Sequence, residues 1–248
     1  YGGGIFLLVY IILALTFGYT LIMAETSLGR MTRKSPVGAF ESFGNSRFIS
    51  IGGWINAIIP ILIVPYYSVI GGWVIKYLIE YFAGHSKTLA GDAYFTTFIS
   101  NGWSTEICFI IFTLFTLGII YAGVRNGIER VSKFMMPILI VLSLIIAVYS
   151  VTRPGAIEGV KYFLVPNFDH FSWMTVVSAM GQMFYSLSIA MGILITFGSY
   201  MKKDTSIEKS TENVEIFDTA IAIMAGLMII PAVFAFSGGN AETLKSGP

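Results

Sequence analysis

The sequence predicts an all-α, polytopic helical membrane protein, and three observations support this fold class. Of its 248 residues, 55% are hydrophobic and only 12% are charged, and the mean hydropathy is +0.77. These values lie outside the usual balance of soluble domains. Several apolar stretches reach the roughly 20 residues that a helix needs to cross a bilayer. None of these stretches shows the alternating pattern of an outer-membrane barrel strand.

Six apolar segments are predicted to span the membrane. Polar connections separate them, such as the long connection over 83–104. The predicted spans are 5–31, 51–80, 104–124, 131–152, 173–201 and 216–237. We interpret 1–248 as a single transmembrane domain.

The distribution of Lys and Arg predicts the orientation of the spans, because cytoplasmic loops carry an excess of both. One set of connections is rich in cations: Arg30, Arg33, Lys34, Arg47, Arg125, Arg130, Lys133, Lys202, Lys203 and Lys209. The opposite set carries fewer: Lys76, Lys87, Arg153, Lys161 and Lys245. We therefore expect the first set in the cytoplasm, Tyr1 outside, and a multi-pass protein of the inner (plasma) membrane.

The two ends of the sequence are interpreted as cuts within a longer protein. The opening residues YGGGIF contain neither a methionine nor a charged region typical of a signal peptide. The closing residues AETLKSGP read as a loop.

Composition and motifs also exclude several functional classes. Cys108 is the only cysteine, and His85 and His170 lack metal-ligand spacing. A net charge of +1 and a pI near 8.0 give no basic stripe for nucleic acid. The chain has no phosphate-binding loop and no GxSxG motif, so an enzyme is not expected.

Polar and small residues interrupt the fifth span near its middle, where it reads GQMFYSLSIAMG. A continuous helix could accommodate Ser186 and Ser188, because serine hydroxyls bond back to helix carbonyls and small residues pack closely. Alternatively, these serines together with Gln182 and Gly192 mark an unwound turn. Such a turn persists in a membrane only where protein or a water-filled cavity satisfies its backbone. Discontinuous helices of this kind form ion and substrate sites in transporters.

Glu25 lies inside the first predicted span, and Asp218 lies near the start of the last. A carboxylate at membrane depth costs at least about 2.5 kcal/mol unless it is paired, so both are candidate functional residues. For Glu25, the alternative is a position near the inner interface beside Arg30. For Asp218, the alternative is a charge at a helix start, although 211–215 are expected to supply that cap and those acids.

A tyrosine pair follows Pro65 near the middle of the second span. Tyr66 and Tyr67 lie too far from either interface to be typical of an aromatic belt. Contact with a ligand and simple packing both remain open for this pair.

Three motifs together resemble a known family. They are GGGIFLLVY near the start, RNGIERVSKFMMPILI, and GQMFYSLSIAMGILITFGSYMKKD. They are similar to the neurotransmitter:sodium symporter family, particularly its bacterial sodium-dependent amino-acid transporters, and the likeness extends over the whole chain. The resemblance implies that the chain covers helices two to seven of an inverted-repeat bundle. The fifth span then corresponds to helix six, with an outer half from Trp173 to about Ser186, a break near 187–190, and an inner half from Met191.

The same resemblance implies a substrate pocket. Tyr67 matches the residue that binds the substrate carboxylate through its hydroxyl, and Ile63 lines the pocket one turn earlier. Tyr185 matches an aromatic lid, while Ser188 and Met191 match the break and the pocket floor. Because these pocket side chains carry no charge, we expect a neutral, hydrophobic amino acid as the substrate. The flexible Met191 would admit larger ones.

The resemblance also implies an ion site. Ser186 and Asp218 match positions around a first sodium ion, and Ser186 also adjoins the substrate. Sodium is a hard cation that prefers oxygen ligands, which a hydroxyl and a carboxylate supply. Glu25 resembles a glutamate that caps amides of the broken helix, so it is expected to support the structure and not to bind the ion. A second sodium site is expected between helices one and eight, outside these spans.

The expected mechanism is sodium-coupled symport by alternating access, without covalent chemistry. One alternative is a ligand-sensing or scaffold membrane protein that keeps this fold without transporting. An ion channel is a further alternative. The aromatic lid and the lack of an acidic or carbonyl ring argue against a channel.

Chloride dependence is the last expectation from the resemblance. Tyr10, Gln182 and Ser186 match three residues that hold chloride in members that need this anion. Asp218 and Ala222 stand where those members have an asparagine and a serine. A fixed carboxylate would supply the negative charge and repel a second anion, so transport is expected to be independent of chloride.

Overall fold

The computed structural model describes residues 2–44, 46–89, 91 and 93–237, and helices dominate them. Extended pairing within these residues is limited to one bridge, between Gly3 and Pro166. The α-helices of the described chain are α1 (Gly4–Leu13), α2 (Tyr19–Thr32), α3 (Pro36–Glu41), α4 (Arg47–Phe82), α5 (Ser86–Leu89), α6 (Tyr94–Ser100), α7 (Gly102–Tyr121), α8 (Arg130–Val151), α9 (Ala156–Leu164), α10 (Trp173–Ser186), α11 (Ile193–Tyr200) and α12 (Ile207–Phe236). The predicted all-α class is therefore confirmed. Tyr1 and Lys245, and the side chains of Arg125 and His170, lie outside the described residues.

Five helical stretches of the described chain are long and apolar enough to cross a membrane. They are Gly4–Thr32, Arg47–Phe82, Gly102–Tyr121, Asn126–Val151 and Ile207–Phe236. The remaining apolar segment, 173–201, is not among them because it is divided into α10 and α11. The last helix begins at Ile207 and not at 216, because Ser206 caps it by accepting a hydrogen bond from the amide of Lys209 at 3.3 Å.

A π-helical segment, Ala14–Gly18, joins α1 to α2 without a break in the helical path. Segments of this type are rare and occur frequently at functional sites. A Cβ atom on Gly18 would lie 2.7 Å from the Leu187 side chain, so the segment packs directly against the end of α10.

The chain divides into two compact units, 1–57 with 138–248, and 58–137. The larger unit has an apolar core contributed by α1, α2, α10 and the residues after α10. Ala179, Met183 and Leu187 recur every fourth residue, so they lie on one face of α10 and of the residue that follows it. The buried core residues are Tyr10, Ala14, Ile22, Ala179, Met183, Leu187 and Ile189.

Two glycines let α2 and α11 approach each other at backbone distance. A Cβ atom on Gly29 would overlap the carbonyl oxygen of Ile195, and one on Gly198 would overlap the carbonyl oxygen of Thr26. Small residues at helix crossings serve this purpose in membrane proteins. The pair therefore holds α11, the inner half of the divided helix, against α2.

We expect Gly198→Ala to lower the free energy of unfolding by about 1–3 kcal/mol, the usual cost of overpacking. The added Cβ atom would meet the backbone carbonyl oxygen of Thr26, which cannot rotate away as a side chain could, so we expect the upper end of that range. Thermal unfolding of the full-length protein in detergent would measure the change. Gly181→Ala in α10 is the matched control, because a Cβ atom there meets nothing within 4 Å. Equal stability of the two variants would contradict this account of the helix contact.

The helix α12 packs against α9. A Cβ atom on Gly159 of α9 would lie 2.8 Å from the Cα atom of Pro231. The ring of Phe163 lies over Gly226 in the same way. Both contacts involve the end of α12 that is remote from Ile207.

The smaller unit joins the second half of α4 to α6 and α7. Aromatic pairs link α4 to α6, with ring centroids 5.0 Å apart for Trp73 and Phe95 and 5.6 Å apart for Tyr77 and Tyr94. Edge-on contacts at such distances add to the energy of apolar burial. Gly72 meets the backbone of Phe109, so α4 and α7 also pack closely.

Candidate functional site

The chain between α10 and α11 is unwound over 187–192. Ser188, Ala190 and Gly192 have φ angles of 56°, 60° and 67°. The left-handed conformation costs an L residue roughly 1–2 kcal/mol, so neighbouring structure must hold Ser188 and Ala190 in place. The interpretation of this segment as a continuous helix is therefore wrong. The break is also longer than 187–190, and Met191 lies within it because α11 begins only at Ile193.

Local sequence explains where the outer half of the divided helix begins. Ser172 caps α10, since its hydroxyl accepts a hydrogen bond from the Thr175 amide at 3.3 Å. The Thr175 hydroxyl in turn accepts one from the Ser172 amide at 3.3 Å. This reciprocal pair is a capping box, and it satisfies two backbone donors at the helix start.

Glu25 of α2 contacts the unwound turn directly. The amide of Ala190 donates a hydrogen bond to Glu25 Oε1 at 2.7 Å. The other carboxyl oxygen, Oε2, is buried and has no hydrogen-bond partner among the described residues. Arg30 donates to the carbonyl oxygens of Lys203 and Thr205 and not to Glu25. The alternative that placed Glu25 beside Arg30 at the inner interface is therefore not what the structure shows.

A second carboxylate, Asp218, lies beside the last turn of α10. Its Oδ2 accepts a hydrogen bond from the Ser186 hydroxyl at 2.7 Å and one from the Tyr10 hydroxyl at 3.2 Å. Asp218 is half-buried and about three turns beyond Ile207. A charge at the helix start is therefore the wrong interpretation of this residue.

Asp218 has no salt bridge within the described part of the chain. The ion pairs found there are Lys76 with Glu80 and Lys133 with Glu129, and the His85 ring lies 2.7 Å from Glu80. Among the described residues, the hydroxyls of Tyr10 and Ser186 hydrogen-bond to the Asp218 carboxylate, and we call these three residues the Asp218 cluster. Carboxylate and hydroxyl oxygens without a competing cation form a donor set that suits a hard cation. The described residues hold no cluster of three His, Cys, Asp or Glu side chains that would suit a transition metal.

Other predicted site residues of the larger unit lie on α10, in the unwound turn or on α12. Gln182 is exposed and forms no hydrogen bond with Tyr10, Ser186 or Asp218 in the described structure. Tyr185 is 43% exposed, and it lies on the turn of α10 that precedes the break. Ser188 and Met191 are half-buried within the unwound turn, and Ala222 is half-buried one turn beyond Asp218 on α12.

The remaining predicted pocket residues belong to the smaller unit. Ile63 and Tyr67 lie one turn apart on α4, so they share a face of that helix. Tyr67 is 48% exposed, and its ring contacts that of Tyr66 edge-on with centroids 6.0 Å apart.

Sequence patterns missed several residues that the structure places near the site. Ala190 supplies the amide that Glu25 binds, and nothing about an alanine indicates a positive φ. The cap of α12 also lies outside 211–215, where the sequence predicted it. Thr211 and Glu215 lie inside the helix and are buried, with Ser206 as the cap. Their four-residue spacing could have indicated a shared buried face, because it places both residues on one side of the helix.

Comparisons with known proteins show the family and the fold of this chain. A family model described as "Sodium:neurotransmitter symporter family" matches residues 1–110 and 97–245. The chain belongs to the sodium:neurotransmitter symporter family. The resemblance found in the sequence motifs is thereby confirmed. The family is one of symporters and not of enzymes.

Relatives within the sodium:neurotransmitter symporter family include bacterial proteins. The chain is 33% identical over 238 residues to YhdH of Bacillus subtilis, an uncharacterized sodium-dependent transporter, covering 95% of this chain and 53% of the relative. It is 30% identical over 248 residues to an uncharacterized sodium-dependent transporter of Haemophilus influenzae, covering 95% and 54%. The chain thus spans about half the length of these relatives.

A solved structure of the sodium:neurotransmitter symporter family confirms the fold. The crystal structure of MhsT in complex with L-phenylalanine superposes with a TM-score of 0.87 at 36% identity, covering 95% of this chain and 54% of that chain. The predicted discontinuous helix within a transporter bundle is therefore confirmed as the fold of this chain.

Proposed function

We propose that the protein containing this chain is a sodium-coupled symporter of a neutral, hydrophobic amino acid that works by alternating access. The observation that carries the proposal is the unwound turn at 187–192, which Glu25 contacts on one side. At the start of the turn, Ser186 hydrogen-bonds to Asp218. A strained turn held by two intramembrane carboxylates is a typical ion and substrate site of transporters.

Sodium is the proposed coupling ion, and Ser186 and Asp218 are its proposed ligands in this chain. The Asp218 carboxylate has hydroxyl partners and no ion pair among the described residues. A bound cation would compensate its charge. The sodium-dependent relatives from B. subtilis and H. influenzae support this choice of ion.

The proposed substrate site comprises Ile63, Tyr67, Tyr185, Ser188 and Met191, with Ser186 beside both substrate and ion. In this proposal the Tyr67 hydroxyl binds the substrate carboxylate and Tyr185 closes the outer path. None of these side chains carries a charge, so the site suits an amino acid with an apolar side chain. The crystal structure of MhsT contains L-phenylalanine, which supports this substrate class.

Independence of chloride is a further part of the proposal. Asp218 holds its carboxylate within hydrogen-bond distance of Tyr10 and Ser186, two of the residues expected around an anion. A second negative charge at about 4 Å from the first would be repelled by about 4 kcal/mol at an effective dielectric of 20. The carboxylate would thus take the place of the anion. The proposed location is the plasma membrane, with several of the helices spanning it.

Competition for uptake tests the substrate class. In proteoliposomes containing the full-length protein, unlabelled leucine, phenylalanine and tryptophan should strongly reduce sodium-driven uptake of labelled phenylalanine. Glutamate and lysine at the same concentration should leave it nearly unchanged, because burying an unpaired charge in an apolar pocket costs several kcal/mol. Competition by glutamate or lysine alone would contradict the proposed substrate class. Binding of phenylalanine without any uptake would instead favour a ligand-sensing protein of the same fold.

A further inference from the structure

Three polar residues form a line on the inner half of α12. Thr211, Glu215 and Thr219 recur every fourth residue and therefore lie on one face of the helix. Thr211 is 1% exposed, Glu215 is 4% exposed, and Thr219 is half-buried. Both threonine hydroxyls and Glu215 Oε1 are enclosed, and none has a hydrogen-bond partner among the described residues.

Several threonine and serine hydroxyls in these helices have partners, whereas those of Thr113 and Ser150 have none among the described residues. The hydroxyls of Thr20 and Thr196 donate to carbonyl oxygens four residues earlier, at 2.8 Å in both cases. On α12 itself, Ser210 donates to Ser206 in the same way at 2.8 Å. Such back-bonding is the ordinary arrangement for a hydroxyl inside a helix. Thr211 and Thr219 depart from it, so their hydroxyls remain available to the carboxyl group between them.

Within the described part of the chain, no cation forms a salt bridge with Glu215. Among the described elements, α12 packs against α9, α2 and the π-helical segment Ala14–Gly18, and that segment contains no titratable side chain. From α2, the Tyr19 phenol lies within electrostatic range of Glu208, Glu212 and Glu215. These neighbours are acids, or groups that are neutral at pH 7, so they cannot stabilise an ionised Glu215.

The other charged groups of these elements face elsewhere. Glu25 accepts from the amide of Ala190, and Arg30 of the same helix donates to backbone carbonyls after α11. Lys209 is exposed near the start of α12. The charged residues of α9, Glu158 and Lys161, belong to the helix that packs around Pro231 at the far end of α12.

The spacing of the three residues does not allow all of them to bind one metal cation. Ligands of a hard cation lie within about 2.6 Å of it, so opposite ligands are separated by roughly 5 Å. Eight residues separate Thr211 from Thr219, which is about 12 Å along a helix axis. The two hydroxyls cannot share one metal ion. A single proton on Glu215 requires no such set, since a protonated carboxyl donates one hydrogen bond and still accepts others.

We propose that Glu215 is a proton-binding site on the inner half of α12, occupied while α2 packs over it and emptied when α2 and α12 separate. In the packed state, the neutral carboxyl avoids the cost of a buried, unpaired charge. On separation, water reaches the group, the O–H bond breaks, the proton passes to water, and the hydrated carboxylate remains. Repacking reverses these steps.

The position of Glu215 links this site to the transport cycle. It lies between the start of α12 at Ile207 and the Asp218 cluster, on the side assigned to the cytoplasm by the Lys and Arg distribution. Opening of the inner side would expose Glu215 to cytoplasmic water. Cytoplasmic pH would thereby bias the equilibrium between packed and separated states. This coupling rests on the proposed transport function, whereas occupancy of the site by a proton does not.

Infrared spectroscopy of the full-length protein in detergent tests the occupancy directly. At neutral pH, the carbonyl-stretch band of a protonated carboxylic acid should be present in the unmodified protein and should lose intensity in Glu215→Gln. Glu212→Gln is the matched control, because Glu212 is exposed on the same helix one turn earlier. An unmodified protein without that band, or equal intensity in all three proteins, overturns the proposal. If Glu215→Gln fails to fold, Glu215→Asp decides instead, because it should shift the position of the band, and an unshifted band overturns the proposal.

Uptake into proteoliposomes tests the coupling. Initial rates should vary with the pH on the cytoplasmic side in the unmodified protein and in Glu212→Gln, and this dependence should be lost in Glu215→Gln. Glu215→Asp, which retains a carboxyl group, should restore it. An unchanged pH dependence in Glu215→Gln overturns the coupling. If no protein shows uptake, the proposed transport function fails, while the infrared result still decides whether Glu215 holds a proton.

Discussion

Replacing Asp218 with asparagine should reduce sodium-driven uptake in chloride-free medium by about two orders of magnitude or more. The carboxylate has two hydroxyl partners and no salt bridge in the described structure, so its negative charge is available to a cation. At about 4 Å and an effective dielectric of 20, a unit charge contributes about 4 kcal/mol to binding a monovalent cation. Each 1.4 kcal/mol corresponds to roughly a tenfold change in affinity.

The same substitution should make transport respond to chloride. Asparagine retains an oxygen that can accept from Ser186 but lacks the charge, so an added anion beside Tyr10 and Ser186 would partly replace it. Uptake by Asp218→Asn should therefore recover in part when chloride replaces gluconate. The unmodified protein should transport equally well in either medium.

Initial rates at several sodium concentrations, in chloride and in gluconate, would measure both effects. Asp204→Asn is the control, since Asp204 is exposed in the connection between α11 and α12. Two outcomes would contradict the assignment: an unmodified protein that requires chloride, or an Asp218→Asn variant that transports normally in gluconate.

Changes at Glu25 should weaken substrate binding through the unwound turn. Glu25 accepts the Ala190 amide at 2.7 Å, and Ala190 is held at a φ of 60°. A hydrogen bond to a charged acceptor contributes about 1.5–3 kcal/mol, against about 0.5–1.5 kcal/mol for a neutral one. Glu25→Gln retains an acceptor without charge, whereas Glu25→Ala leaves the amide unpaired. We therefore expect phenylalanine affinity to fall by up to tenfold in the first variant and by more in the second.

Equilibrium binding of phenylalanine and thermal unfolding, measured on the full-length protein, would separate a local change at the turn from general instability. Glu208→Gln is the matched control because Glu208 is exposed on α12. If Glu25→Ala binds phenylalanine with unchanged affinity and unfolds at the same temperature, Glu25 does not hold the turn.

The sequence alone determined the fold class and the presence of the break. Hydropathy and span length depend on local composition, and the lipid environment converts them into helices because no other spanning structure satisfies the backbone. The motif around Ser186 and Ser188, together with its likeness to a known family, indicated where the helix would be divided. The sequence also indicated Asp218 and Glu25 as candidate functional residues, because carboxylates are rare in membrane spans and are usually functional there.

Tertiary structure decided the features that depend on which groups meet. The unwound turn extends to Gly192 and includes Ala190, whose positive φ comes from its surroundings, including Glu25, and from no preference of alanine. Ser206 and Thr211 are both acceptable helix caps by residue type, but Ser206 is the cap in the structure and Thr211 is buried inside the helix. Glu215 appeared to be an acid of the first helical turn, yet long-range contacts enclose it. Capping and hydropathy are properties of neighbours along the chain, whereas the partner and burial of a polar group depend on residues distant in sequence.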